Sequence, residues 1–157
     1  MSDVELVVTD DPVRVAAEHL TAAVVRGGEI ALSGGSSPRP AYELAARLAL
    51  DWSGVRVWLG DERCVPPDDE RANVRLVRES LAAARAPELR PVDTSLPPVE
   101  AAAVYDAELD GVTLDLAFQG LGPDGHTASL FPDAPSLAER RRRVVSAAAG
   151  LEPWSTG

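Results

Sequence analysis

The sequence predicts an α/β fold, namely a doubly wound, three-layer αβα domain with a largely parallel sheet. Strand-like and helix-like segments alternate along the chain, as they do in such folds. The strand-like segments are short apolar runs of the kind that a sheet covered on both faces buries, and glycine or proline separates most of them. The 157 residues suffice for one domain with a real core, and no repeat or linker divides residues 1–157.

Each predicted strand is a short apolar or β-rich run. The strands cover residues 4–8, 29–33, 55–59, 90–94, 114–119 and 144–146. Apolar residues at helical spacing predict helices between them. These helices cover about residues 12–26, 40–50, 73–81, 97–109 and 136–141. Asp11 with Pro12 marks the first helix start, Gly27 its end, and Asn73 is expected to cap the third helix.

Composition narrows the function classes. The formal net charge is -10, which argues against nucleic-acid binding. The fifteen basic residues are all arginine, so a Schiff-base lysine is excluded, and the single Cys64 excludes a disulfide framework or a multi-cysteine metal site. No run approaches the ~18–20 apolar residues that span a bilayer, and residues 1–5 do not begin a secretory signal. These observations predict a cytoplasmic protein.

Three loops follow predicted strands, where a parallel α/β sheet binds its ligands. In the first, Ser33–Ser37, the glycines Gly34 and Gly35 let a ligand approach the backbone, and the next helix N-terminus attracts an anion. Ser36 and Ser37 add hydroxyl donors. This loop suits a phosphate, and a tight turn with a serine cap explains it at least as well.

The second loop, Gly60–Arg63, places two carboxylates and a guanidinium directly after an apolar strand. Arg63 could clamp a phosphate or carboxylate at two points, and Asp61 could orient a neighbouring group. An ion pair satisfied within the loop is an equally good interpretation.

The third loop, Gly120–Thr127, ends in His126 after a run of glycine, proline and aspartate. A histidine held rigidly at a strand end is well placed for proton transfer. The alternative is a loop histidine that only forms a hydrogen bond. His19 lies in a regular predicted helix beside Glu18 and is expected to be a surface residue.

Together, the three loops resemble the 6-phosphogluconolactonase family. The similarity rests on Ser33–Arg39, on Trp58–Pro66 with Asn73, and on Asp115–Pro132. The resemblance implies the doubly wound fold of the sugar-phosphate isomerases and deaminases. It also implies hydrolysis of 6-phospho-D-glucono-1,5-lactone in the oxidative pentose phosphate pathway. The implied partner is a small-molecule sugar phosphate, with no metal and no organic cofactor.

The resemblance further implies that His126 is the general base that takes a proton from water, with Asp124 or Asp61 holding its orientation. Backbone N–H groups near Gly34 or Gly122, or the Arg63 side chain, would face the developing oxyanion. The residues expected to bind the substrate are Gly34, Gly35, Ser36, Ser37, Arg63, Gly122 and Gly125.

The chain departs from the family pattern most clearly at its C-terminal end, because family members continue with further strands and helices. The domain is therefore expected to be incomplete there. Missing strands would expose a sheet edge, which predicts lower stability, a monomer or weak homo-oligomer, and reduced or absent activity. In addition, Val74 stands where an aromatic residue is usual, and Gln119 places an amide in an apolar strand end.

Two other functions stay open. A glucosamine-6-phosphate deaminase-like isomerase would share the fold and the loop histidine, although the segment Thr127–Pro132 favours the lactonase. The second is an inactive, truncated copy that binds sugar phosphates weakly or not at all.

Overall fold

The computed structural model describes residues 4–147. Helices and strands alternate along this range, as the sequence predicts. The elements are α1 (Pro12–Arg26), β1 (Gly28–Leu32), α2 (Arg39–Leu48), β2 (Val55–Leu59), α3 (Asn73–Ser80), β3 (Glu88–Arg90), α4 (Pro98–Glu108), β4 (Leu116–Ala117) and a 3₁₀ turn (Pro135–Ala138).

The four strands form one parallel sheet in the order β3-β2-β1-β4. Gly28 pairs with Val55 and Leu32 with Leu59, while Ile30 pairs with Leu116 on the other side of β1. The chain thus builds outward from β1 to β3 and then returns to the opposite side of β1. This reversal creates a switch point between β1 and β4, and ligands of open α/β sheets bind at such points.

The two faces of the sheet are covered by different helices. Ile30 and Val57 point into the main core with residues of α1, α2 and α3. Ala31 and Trp58, which alternate with them, pack against Tyr105 of α4. Because the crossover connections between parallel strands are right-handed, the helix that precedes β4, α4, lies on the opposite face of the sheet from α1, α2 and α3 once the strand order reverses. The predicted doubly wound αβα architecture is therefore confirmed.

Tyr105 anchors α4 to the carboxyl ends of two strands. Its hydroxyl accepts the N–H of Leu59 at 2.8 Å and donates to the carbonyl of Arg90 at 3.0 Å. Its ring meets Trp58 edge-on at 5.7 Å. Burial raises the pKa of Tyr105 to about 12, so the hydroxyl remains a donor at neutral pH.

Local signals place the first helix correctly. The Asp11 carboxylate accepts the N–H of Arg14 at 3.0 Å, Pro12 is the first helical residue, and Gly27 follows the helix end with φ +76°. These are the features that the sequence predicted, and each acts within one turn of the chain.

Three strand predictions need correction. Residues 4–8 form no strand, and Val4 and Leu6 are largely exposed because no strand lies beside them within the described range. The strand predicted at 90–94 lies at Glu88–Arg90, since Pro91 has no N–H for the ladder. The run 114–119 is regular strand only at Leu116–Ala117.

Two predictions near residue 140 are also wrong. The helix expected at 136–141 is only the 3₁₀ turn, because the Glu139 carboxylate accepts the N–H groups of Arg140, Arg141 and Arg142. Residues 144–146 form no strand, although Val144 packs against the Trp58–Tyr105 cluster.

Candidate functional site

The segment after β4 folds into a tight turn that holds His126. The N–H of Gly122 donates to the carbonyl of His126 at 2.8 Å, and the N–H of Gly125 donates to the carbonyl of Gly122 at 3.0 Å. Gly125 has φ +90°, a conformation that favours glycine. Both N–H groups are therefore used inside the turn, and these glycines shape it rather than offering donors to a ligand.

Asp124 is the carboxylate that contacts His126. Its Oδ1 lies 2.5 Å from His126 Nδ1 and also accepts the backbone N–H of His126 at 3.2 Å. The hydrogen bond with the imidazole is the main reason that the pKa of Asp124 falls below its usual 3.8. With Nδ1 donating to the carboxylate, Nε2 is the basic nitrogen of the neutral ring.

Two neighbours restrict the His126 ring. The Phe131 ring lies 4.9 Å from it, centroid to centroid, with a tilt of 36°. On another side, Gly122 approaches so closely that a Cβ atom there would lie 2.2 Å from ring atoms of His126. The His126 side chain is 26% exposed, so solvent reaches it.

Asp61 is bonded to other partners. Its Oδ1 accepts the side-chain N–H of Asn73 at 3.0 Å, and its Oδ2 accepts the hydroxyl of Ser129 at 2.6 Å. Asn73 also donates to the backbone carbonyl of Asp61 at 2.8 Å. Of the two carboxylates expected to orient His126, the structure thus brings Asp124 to the ring and directs Asp61 to Asn73 and Ser129.

Glu62 caps α3, the role expected of Asn73. The N-cap position is Ala72, without a side-chain hydrogen bond, and Asn73 is the first helical residue. The Glu62 carboxylate accepts the N–H groups of Asn73 and Val74, both at 2.8 Å, and that of Arg63 at 2.7 Å. Burial nevertheless raises its pKa, with the three N–H donors opposing the shift.

The first loop lies against the start of α3. A Cβ at Gly34 would stand 1.7 Å from Asn73 Oδ1, so only glycine fits there. Gly35 has φ +99°, and Gly35, Ser36 and Ser37 are exposed. Among residues 4–147, the N–H groups of Gly34 and Gly35 donate no hydrogen bond.

Tyr42 fixes the start of this loop. Its hydroxyl accepts the N–H of Ser33 at 3.1 Å and donates to the Ser33 carbonyl at 3.0 Å. Burial raises the pKa of Tyr42 to about 12, which keeps this donor protonated. The loop therefore leaves β1 from a defined position.

A cavity of about 380 Å³ opens beside these loops on the α4 side of the sheet. Asp61, Arg63, Gln119 and Ser129 lie in its wall with Tyr105 of α4. The site residues that do not line it are Gly34, Gly35, Ser36, Ser37, Gly122, Asp124, Gly125 and His126. The predicted residues thus fall into two groups, because Asp61 and Arg63 line the cavity and the others do not.

Sequence reasoning did not include Asn73, Ser129 or Glu62 among the site residues. All three lie inside the segments that carry the family resemblance, and this location was the signal in the sequence that could have identified them. Gln119, the amide at the end of the predicted apolar strand, packs against Gly60, where an added Cβ would lie 2.6 Å from Gln119 Nε2.

Two further properties concern residues 4–147 alone. No cluster of three or more histidine, cysteine, aspartate or glutamate side chains there could hold a metal ion. None of the helices in this range is both long and apolar enough to cross a membrane.

The fold and the loops define a class: a doubly wound α/β protein with a histidine–aspartate pair and a glycine-rich loop on either side of the switch point. The family described as glucosamine-6-phosphate isomerases/6-phosphogluconolactonase matches residues 8–154. The chain belongs to this family.

Individual relatives agree with that assignment. The chain is 43% identical over 129 residues to a 6-phosphogluconolactonase of Rhizobium meliloti (strain 1021), an alignment that covers 77% of this chain and 55% of that protein. It is 41% identical over 142 residues to the Synechocystis protein of the same name, covering 81% and 59%. The chain thus spans little more than half the length of these curated relatives.

Solved structures show the same fold. The crystal structure of 6-phosphogluconolactonase from Thermotoga maritima superposes with a TM-score of 0.71 at 35% identity, covering 79% of this chain and 62% of that one. The Trypanosoma cruzi 6-phosphogluconolactonase gives a TM-score of 0.72 at 26% identity, covering 84% and 62%.

Proposed function

We propose that this chain binds 6-phospho-D-glucono-1,5-lactone and hydrolyses it to 6-phosphogluconate. The observation that carries the proposal is the Asp124–His126 pair at the end of β4, beside the switch point, in a chain whose relatives bear the name 6-phosphogluconolactonase. The 2.5 Å contact between Asp124 Oδ1 and His126 Nδ1 supports this proposal, in which Nε2 is the nitrogen that exchanges the proton.

The chemistry requires one base and one anion-stabilising group. Nε2 of His126 takes a proton from water as the water oxygen bonds to the lactone carbonyl carbon, forming a tetrahedral oxyanion. The intermediate then breaks its bond to the ring oxygen, which receives the proton from the imidazolium. The ionised Asp124 stabilises that imidazolium throughout, as a carboxylate does in other histidine-based hydrolases.

Substrate binding must overcome the net charge of -10 through local donors. The exposed Ser36 and Ser37 hydroxyls and the Arg63 guanidinium are the proposed ligands of the 6-phosphate. The N–H groups of Gly34 and Gly35 are the proposed donors to the oxyanion. The proposal needs no metal or organic cofactor, and it places the chain in the cytoplasm as a monomer or weak homo-oligomer.

The test generates the lactone in situ with glucose-6-phosphate dehydrogenase and follows its hydrolysis above the spontaneous background. The chain is expected to accelerate hydrolysis, and His126→Ala to lower kcat by ~10²–10⁴-fold. His19→Ala is the matched control, because His19 is exposed on α1.

Two results would reject the proposal. Hydrolysis at the background rate would indicate a copy without lactonase activity. Release of ammonia from glucosamine 6-phosphate, without lactone hydrolysis, would assign the chain to the isomerase branch of the family instead.

A further inference from the structure

The carboxylate of Asp61 joins two segments that are distant in sequence. One oxygen accepts from Asn73, 12 residues away, and the other accepts from Ser129, 68 residues away. Asn73 lies at the start of α3 and packs against Gly34 of the first loop. The three residues therefore connect the carboxyl ends of β1, β2 and β4.

Ser129 belongs to the turn Thr127–Leu130, which directly follows His126. The turn is closed by the N–H of Leu130 donating to the carbonyl of Thr127 at 2.9 Å, with a longer reciprocal bond of 3.4 Å. Ala128 has φ +50°, a left-handed conformation that costs a non-glycine residue about 1–2 kcal/mol. A turn containing such a residue needs outside contacts to keep its shape.

The same turn determines how His126 and Phe131 meet. These residues flank the turn in sequence, and their ring centroids lie 4.9 Å apart. The Ser129 hydroxyl donates out of the turn to Asp61 at 2.6 Å, tethering it to the loop after β2. Release of this hydrogen bond would let the turn relax and move the His126 ring relative to Phe131.

We infer that Ser129 is a positioning residue for His126, acting through Asp61 and Asn73, and its catalytic consequence rests on the proposed lactonase function. Asp61 then serves as an anchor rather than as a base. Its two oxygens each accept a hydrogen bond from a protein donor, which fixes the carboxylate between the start of α3 and the histidine turn. Asn73 holds the anchor against the first loop, which fixes the distance between the glycine-rich loop and the histidine turn.

The experiment compares Ser129→Ala with Ser129→Thr, which retains a hydroxyl. Ser53→Ala is the matched control, because Ser53 donates a similar hydrogen bond of 2.7 Å to Asp51, at the opposite end of β2. Histidine ring resonances are recorded by NMR on the full chain. The sequence has two histidines, so His19 on α1 is an internal reference. Lactone hydrolysis is measured in parallel.

The expected result is a shift of the His126 resonances in Ser129→Ala, with His19 unchanged, and recovery in Ser129→Thr. kcat should fall by about tenfold or more in Ser129→Ala, with a much smaller change in KM, since misplacement of a catalytic group lowers kcat. Ser53→Ala should leave both measurements at the wild-type value.

Unchanged His126 resonances in Ser129→Ala would overturn the inference, whatever the rate. So would an unchanged kcat, failure of Ser129→Thr to restore the resonances, or an equal effect of Ser53→Ala. If the wild-type chain does not hydrolyse the lactone, the proposed function fails by itself. The NMR comparison then still decides whether Ser129 positions His126.

Discussion

Gly34, in the loop after β1, touches Asn73, the first residue of α3, and a Cβ at Gly34 would lie 1.7 Å from Asn73 Oδ1. This approach ties the glycine-rich loop after β1 to the residue that holds Asp61. The glycine is thus required for space, whereas at Gly35 the requirement is the positive φ of +99°.

Gly34→Ala is expected to lower the free energy of unfolding by about 1–3 kcal/mol, because the new methyl group must displace Asn73 or the loop. The proposed lactonase activity should fall as well. Chemical denaturation of the variant measures the first effect. Gly120→Ala is the control, since a Cβ at Gly120 meets nothing within 4 Å. Equal stability of the two variants would contradict the close approach.

Gly122→Ala is expected to act on kcat. A Cβ there would lie 2.2 Å from ring atoms of His126, so the imidazole must move away from its present position. A displaced base lowers kcat by roughly 10²-fold when the shift approaches 1 Å. Steady-state kinetics of Gly122→Ala and of the control Gly120→Ala separate the steric effect from the effect of adding a methyl group. Equal kcat values for the two variants would show that the position of the His126 ring is unimportant.

Asp124→Asn is expected to lower kcat by about 10²-fold or more, because an amide neither stabilises the imidazolium nor favours the same tautomer. KM should change little, since Asp124 is not among the proposed phosphate ligands. Asp133→Asn provides a nearby control: Asp133 has φ +61°, which asparagine also tolerates. A kcat for Asp124→Asn that equals this control would remove Asp124 from the mechanism.

Glu62→Gln is expected to change the pH dependence of stability. Burial raises the folded-state pKa of Glu62 above its ordinary 4.5. Its stabilising contribution is therefore complete below pH 4.5 and lost as the pH rises through the folded-state pKa. Glutamine cannot titrate, so the stability of the variant relative to wild type should rise as the pH increases from 4.5 through the folded-state pKa of Glu62.

Unfolding free energies of wild type and Glu62→Gln, measured across that range, give this difference directly. Glu100→Gln, at an exposed position on α4, controls for the loss of one negative charge. A difference that is constant with pH, or that falls as the pH rises, would show that burial does not govern Glu62.

Much of the fold follows from local patterns. α1 begins at Pro12 and ends before Gly27 because the carboxylate cap, the proline and the glycine act within one helical turn. β2 coincides with its apolar run, Val55–Leu59. By contrast, the Val4–Val8 run resembles a strand equally well and forms none, because a strand needs a neighbour that local sequence does not specify.

The sequence by itself determined the α/β class, the positions of the three loops and the choice of His126 as the candidate base, because spacing and residue type carry that information. Only the tertiary structure decided which carboxylate forms a hydrogen bond with the His126 ring. Asp124 lies two residues from His126 and bonds its ring, while Asp61 bonds Asn73 and Ser129. Hydrogen-bond partners that are 12 or 68 residues apart depend on how the parallel strands align their carboxyl ends. That alignment arises because the strands are parallel and β4 is added on the side of β1 opposite β2, so that the loops after β1, β2 and β4 meet at one edge of the sheet.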